Sequence, residues 1–251
     1  MTIIGITERG DASLDTRWKP WVRHGHPAIL ITKNPGKLAR RLAGMDWPEN
    51  IIVHSTITGY GGSALEPGVP AHLVALEAYQ ALRDRLGGQR AVLRVDPIVP
   101  LRPWLQASQG VIRLAGLRVG DRVRVSFLDN YKHVRARLAA AGAPALPYGF
   151  HAPLDTRIDA LSDLQDLLPE PESIEVCGEP GIVCDPGCVS HRDLEALSLK
   201  PDDEDLVCDP RRQDRRREGC GCIAGKHELL AGHGPCAHGC LYCYWHDGEV
   251  P

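Results

Sequence analysis

Residues 71–95 read AHLVALEAYQALRDRLGGQRAVLRV. From Ala71 to Leu86 the apolar side chains fall at helical spacing, and Gly87-Gly88 provides a stop. Ala91–Val95 then forms a short apolar run rich in β-branched residues. A helix that feeds directly into such a run is the repeating unit of a parallel sheet. The same rhythm recurs on both sides of it. Further strands are predicted at Thr2–Thr7, Ala28–Thr32, Ile51–Thr58, Val123–Phe127 and Ser173–Cys177. DNYKHVRARLAAAG (129–142) reads as a second clear helix, with Asp129 as its N-cap and Gly142 as its stop. Six strands alternating with helices predict an α/β fold, specifically a partial (β/α)6 TIM-like barrel over residues 1–180.

In such a fold the functional groups sit at the carboxyl ends of the strands. Those ends are polar here: Thr7-Glu8-Arg9, Thr32-Lys33-Asn34, Thr58-Gly59-Tyr60 with Glu66 close by, Arg94 with Asp96, Asp129-Asn130-Tyr131, and Cys177-Gly178-Glu179. Taken singly, Asp129 reads as a helix cap and Lys33 as a solvated surface charge. Six polar strand ends in succession favour a shared site. Lys33, Asn34, Glu66, Arg94, Asp96, Asp129 and Tyr131 are its candidate lining. Lys33 and Arg94 suit a carboxylate or phosphate, and Tyr60 and Tyr131 suit hydrogen transfer or ring stacking.

After residue 180 the pattern gives way to Pro, Gly, charge and cysteine. One short helix is predicted at His191–Leu199. Arg211, Arg212, Arg215, Arg216 and Arg217 are interleaved with Asp214 and Glu218, which reads as a solvated face; contact with a phosphate-bearing substrate is the alternative. All nine cysteines lie at or beyond Cys177, a clustering that in a reducing compartment signals metal or redox chemistry. Cys236, Cys240 and Cys243 have C-x3-C-x2-C spacing, which places three thiolates on one loop, the donors that iron–sulfur clusters use. Cys220 and Cys222, then Cys177 and Cys188, are candidates for a second cluster or a structural zinc. Residues 181–251 are therefore expected to be a cysteine-rich, cluster-binding segment packed on the barrel mouth.

The net charge of -3 gives no general reason to bind nucleic acid or an anionic membrane. No apolar stretch is long enough to span a bilayer, and the start, MTIIGITERGDA, lacks a basic leader region. A cytoplasmic protein without a membrane partner is expected.

The string PCAHGCLYCYW (235–245) resembles the cluster loop of the radical S-adenosylmethionine (SAM) superfamily, and of spore photoproduct lyase in particular. Thr32–Pro35 (TKNP), Thr56–Gly61 (TITGYG), Leu65–Pro70 (LEPGVP), Arg94–Ile98 (RVDPI) and the Cys220-Gly221-Cys222 pair are similar to those of a family described only as a domain of unknown function, whose cysteine motif is C-terminal. The resemblance implies a [4Fe-4S] cluster whose open iron chelates S-adenosylmethionine, reductive cleavage to a 5′-deoxyadenosyl radical, and an electron donor of flavodoxin or ferredoxin type. It implies Tyr242 near the adenine and Glu179, in a Gly-Glu-Pro segment, near the SAM amino group. The expected substrate is a small molecule or a nucleobase or nucleic acid. The alternative is a non-catalytic binding protein stabilised by zinc or a cluster.

Overall fold

Within each strand, alternate side chains leave for opposite faces of the sheet, and the two faces are covered differently. The computed structural model describes residues 4–182, 189–199, 226–230 and 236–245. The strands are β1 (Ile4–Ile6), β2 (Ala28–Thr32), β3 (Ile51–Thr56), β4 (Ala91–Ile98), β5 (Val123–Phe127), β6 (Ile174–Val176) and β7 (Lys226–Glu228). The helices are α1 (Lys19–Arg23), α2 (Pro35–Ala43), α3 (His72–Leu86), α4 (Arg102–Leu114), α5 (Lys132–Ala140), α6 (Leu154–Gln165) and α7 (His191–Ala196).

All pairings are parallel, in the order β6-β5-β4-β3-β2-β1-β7. From β1 to β6, spatial order follows chain order without reversal. A seventh strand, unanticipated because Lys226-His227-Glu228 has no apolar run, extends the sheet beyond β1. Helix α6 is likewise additional to the expected elements.

One face carries Ala28, Leu30, Ile51, Val53, Leu93, Val95, Val123 and Val125. It packs against Leu38 and Leu42 of α2, Leu76, Tyr79 and Leu82 of α3, Val111 of α4 and Leu164 of α6. The opposite face carries Ile4, Ile6, Ile29, Ile31, Ile52 and Val92, covered by Val189 and Leu194 of the α7 region. On that second face the later strands are charged. Arg122, Arg124 and Glu175 are buried there with Asp193 of α7, joined by bonds from Arg122 Nε to Glu175 (2.6 Å) and from Arg122 Nη2 to Asp193 (2.8 Å).

Helix boundaries follow local chemistry. Helix α3 ends where Gly87 takes φ +84°, a left-handed conformation that suits glycine. Asn34 caps α2 by accepting the Lys37 N–H at 3.0 Å, so its side chain is spent on the helix rather than on a ligand. Helix α5 begins with Tyr131 as N-cap. The expected cap, Asp129, lies too far upstream to reach the first-turn N–H groups and bonds His151 instead. Helix α7 stops at Ala196, short of the expected Leu199.

Among the described residues no helix is long and apolar enough to cross a membrane.

Candidate functional site

The carboxyl end of the sheet is closed over by residues 236–245, which return to it from the far end of the chain. Backbone bonds dock this segment on the loop after β3: Gly68 N–H donates to His238 O at 3.0 Å, and Leu241 N–H to Leu65 O at 3.0 Å. Arg137 of α5 holds the other side, donating from Nε to Leu241 O at 3.0 Å and from Nη2 to Cys243 O. Gly68 is required where the chains cross, because a Cβ there would sit 2.4 Å from Ala237 O.

Two ionic groups anchor the segment's side chains. The Asp11 carboxylate accepts from Ser13 N–H (2.7 Å), Thr32 Oγ1 (2.8 Å), Lys33 N–H (2.7 Å) and His238 Nε2 (2.8 Å). Burial works against its ionisation, but these donors and the His238 charge hold its pKa below the usual carboxylate value. His238 Nδ1 faces Gly68 O at 3.0 Å, so both ring nitrogens meet acceptors. Burial alone would lower the His238 pKa; Asp11 overrides it and raises the value, favouring the imidazolium.

The second group joins strands β2 and β3 to the segment. Lys33 Nζ donates to Glu66 Oε1 and to Tyr242 OH, both at 2.8 Å, and Tyr242 OH donates to Glu66. The Glu66 side chain is 1% exposed and that of Lys33 17%. Burial pulls the Lys33 pKa down, yet Glu66 and other neighbouring acidic groups, Asp96 among them, hold it above its ordinary value, so the ammonium stays charged. Beside this group Arg94 pairs with Asp96, which also accepts Ser126 Oγ at 2.6 Å. Thr56 Oγ1, buried at the end of β3, has no partner among the described residues.

A third group lies at the ends of β5 and β6. Asp129 accepts His151 Nδ1 at 2.8 Å, and its backbone N–H donates to Tyr244 OH at 3.2 Å. Tyr131 packs on Tyr244 and Phe150, with centroids at 4.8 Å and 4.7 Å. Glu179 accepts the Phe127 N–H at 2.7 Å and Arg157 Nη1 at 2.9 Å, and burial pushes its pKa up to about 7.

The structure thus brings Lys33, Glu66 and Tyr242 into direct contact, with Arg94 and Asp96 near them and Asp129 and Tyr131 against Tyr244. It separates others. Tyr60, though edge-on to Tyr242 at 6.4 Å, bonds Ser108 Oγ (3.1 Å) and accepts the Val99 N–H (3.0 Å). Burial pushes its pKa up to about 12, so it pins the loop to α4 instead of presenting a free hydroxyl. Glu179 likewise ties β6 to β5 and α6. His151, Ser126 and Thr56 escaped sequence reasoning. No periodicity marks a lone histidine in a Gly/Pro-rich loop, and neutral hydroxyls on strands read as ordinary strand residues.

The expected metal chemistry requires correction. Among the described residues no group of three or more His, Cys, Asp or Glu side chains is arranged to hold a metal ion. Cys236, Cys240 and Cys243 form no disulfide among the described residues. Cys240 turns into an apolar cluster with Tyr60, Leu65 and Val69, where burial pushes its pKa up to about 12. Burial likewise raises that of Cys236. Both shifts favour the protonated thiol in the metal-free protein. Cys177 packs on the separate cluster of β1, β2 and α7. Cys188, Cys220 and Cys222 lie outside the described residues. The arrangement of the described residues therefore does not support the expected [4Fe-4S] cluster, the second cluster or zinc, or S-adenosylmethionine placed on an open iron.

Fold and geometry define a parallel α/β protein with a cluster of charged side chains at the carboxyl edge of its sheet. Residues 23–245 match the family described as "Domain of unknown function (DUF1848)", and the chain belongs to that family. This replaces the resemblance to the radical SAM superfamily. No curated protein matches the chain.

Proposed function

We propose that the protein is an enzyme acting on a small polar molecule that carries a carboxylate or phosphate, held between the carboxyl edge of the sheet and residues 236–245. The observation that carries this reading is the Lys33–Glu66–Tyr242 group. A buried charge is costly to maintain. Lys33 remains cationic at the end of a parallel strand, the position where ligands bind in such sheets. Its ammonium would neutralise the substrate's acidic group, with Arg94 and the Thr56 hydroxyl, which has no partner among the described residues, as further donors. Tyr242 accepts from an ammonium and donates to a carboxylate, so its phenol stands in a path along which a proton can move between substrate and Glu66. We read the sheet as an incomplete (β/α) barrel. Strand order follows chain order, and α2, α3, α4 and α6 all lie on one face, which leaves the other face and its mouth for the site.

The test is a thermal-stability screen of the intact chain against carboxylate- and phosphate-bearing metabolites, run in parallel on Lys33→Met and Tyr242→Phe. An acid that raises Tm in the wild type and in Tyr242→Phe but not in Lys33→Met supports the reading. Turnover of that acid should then fall in Tyr242→Phe by about 10²-fold or more, the usual loss of a general acid–base group. If no acid shifts Tm, or if the shift survives in a folded Lys33→Met, the reading is wrong.

A further inference from the structure

We propose that His151, oriented by Asp129, is a second acid–base group of the site, taking a proton from a hydroxyl or amine of the bound molecule. This deepens the proposed function and rests on it for the identity of the reaction, though not for the state of the histidine.

The geometry has three parts. The Asp129 residue is 1% exposed, and its Oδ1 lies 2.8 Å from His151 Nδ1. A buried carboxylate at that distance fixes the proton on Nδ1 and leaves a lone pair on Nε2. Nε2 has no partner among the described residues, and the ring is 29% exposed. The dyad is also held rigidly. Asn130 N–H donates to Phe150 O at 2.8 Å, Asn130 Nδ2 to Tyr148 O at 3.0 Å, and Tyr148 OH to Leu128 O at 3.2 Å. These bonds stitch the loop of residues 148–151 to the carboxyl end of β5. Through Tyr244 OH on the Asp129 N–H the dyad is tied to the segment that carries Tyr242.

The substrate class follows from hydrogen-bond polarity. Asn130 Nδ2 is committed as a donor, which sets the amide's orientation. Its Oδ1 is then a buried acceptor without a partner among the described residues, next in sequence to Asp129. An open Nε2 lone pair and an unpartnered amide oxygen both call for a donor, an O–H or N–H on the ligand. In the step, the substrate O–H or N–H bond breaks and its electron pair stays on the substrate atom. The proton forms a new N–H bond at Nε2, and the imidazolium so produced is balanced by the Asp129 carboxylate.

The test reads the histidine directly and uses no substrate. Nitrogen NMR of the intact wild-type protein should show His151, assigned by its loss in His151→Gln, as the Nδ1–H tautomer at alkaline pH. Ethoxyformylation with diethyl pyrocarbonate should be faster at His151 than at His24 or His26, which are exposed and face no carboxylate among the described residues. Asp129→Asn should slow it by on the order of tenfold, the loss of one hydrogen bond to a charged group. An Nε2–H tautomer, or reactivity no greater than that of His24, would overturn the proposal even if Asp129→Asn does not fold, because both readings come from the wild type. Neither uses a ligand, so a failed metabolite screen leaves them standing, and a successful screen does not rescue them.

Discussion

Replacing Lys33 by methionine isolates the central group of the site. Methionine retains most of the lysine stem and its packing, so the change is chiefly the loss of one charge. What remains is a Glu66 carboxylate that is 1% exposed and keeps only the Tyr242 hydroxyl among its two side-chain donors. Removing one member of a fully buried ion pair costs about 3–5 kcal/mol. The 17% exposure of the Lys33 side chain lets solvent share part of that load, which places the expected loss at about 2–3 kcal/mol. Glu66→Gln in the Lys33→Met background removes the stranded charge, so the double variant should recover about 1–2 kcal/mol relative to the sum of the single losses. Urea unfolding followed by circular dichroism measures all four proteins. The sign with pH is fixed by the raised pKa of Lys33. The stabilisation is fully present below the unfolded lysine value, about 10.4, and is lost as pH rises through the higher folded value. The gap between wild type and variant should therefore stay constant from neutral pH upward and narrow only above pH ~10. A loss under about 0.5 kcal/mol, the range of an exposed pair, or strict additivity in the double variant, would show that Lys33 and Glu66 do not depend on each other.

Three further outcomes follow, the first two from the anchoring of residues 236–245. His238→Ala should speed amide exchange at residues 239–245 by an amount equivalent to about 1.5–3 kcal/mol, one hydrogen bond to a charged group. Because the Asp11 pKa is lowered and the His238 pKa raised, the wild-type protection should fade both as pH drops through the Asp11 value and as it climbs through the His238 value. Gly68→Ala forces a Cβ to 2.4 Å from Ala237 O and 2.9 Å from His238 Cα, so it should cost about 1–3 kcal/mol in urea unfolding, as overpacking does, and should release the same amides. Glu179, whose pKa burial lifts from 4.5 to about 7, makes stability fall as pH rises between those values. Its contribution is greatest while the group is protonated in both states, and Glu179→Gln should flatten that slope in the urea midpoint.

What the sequence disclosed depends on the range of the interactions involved. Strand β2 is an apolar run and β5 alternates apolar with polar residues, and their predicted limits match the observed ones. The site lay half in view for the same local reason. Polar residues crowd the ends of successive strands, and Lys33, Glu66 and Tyr242 stand out by type. Their contact does not, because it joins residues 33, 66 and 242 across most of the chain. The structural duties of Asn34 and Tyr60 were hidden likewise: a cap oxygen and a buried phenol look in sequence like ligand-binding groups. The cysteine triplet misled by the opposite route. Its spacing permits a cluster, but spacing says nothing of burial, and Cys240 is turned inward among apolar side chains.

The charged face of the sheet bears on why the site lies where it does. Arg122, Arg124, Glu175 and Asp193 are buried together, and His54 beside them is kept neutral, its pKa lowered to about 4 chiefly by burial and by Arg124. Apolar residues would fill this space at no greater cost in stability. The charges add selectivity about what can cover the face. Asp193 accepts from Arg122 (2.8 Å) and Arg124 (3.1 Å), and it also closes a capping box by accepting the Ser190 N–H at 2.8 Å. A helix satisfies both arginines only with its carboxylate at that position and its first turn at that depth. Helix α7 is therefore fixed on the second face beside His54, at the middle of β3. Lys33, Thr56 and Asp96, which lie at or toward the carboxyl ends of their strands, are left to meet residues 236–245. Two segments from the same C-terminal third thus divide one face of the sheet. Helix α7 fills its interior with paired charge, and the 236–245 segment closes its mouth over groups that still have hydrogen-bonding capacity to offer a ligand.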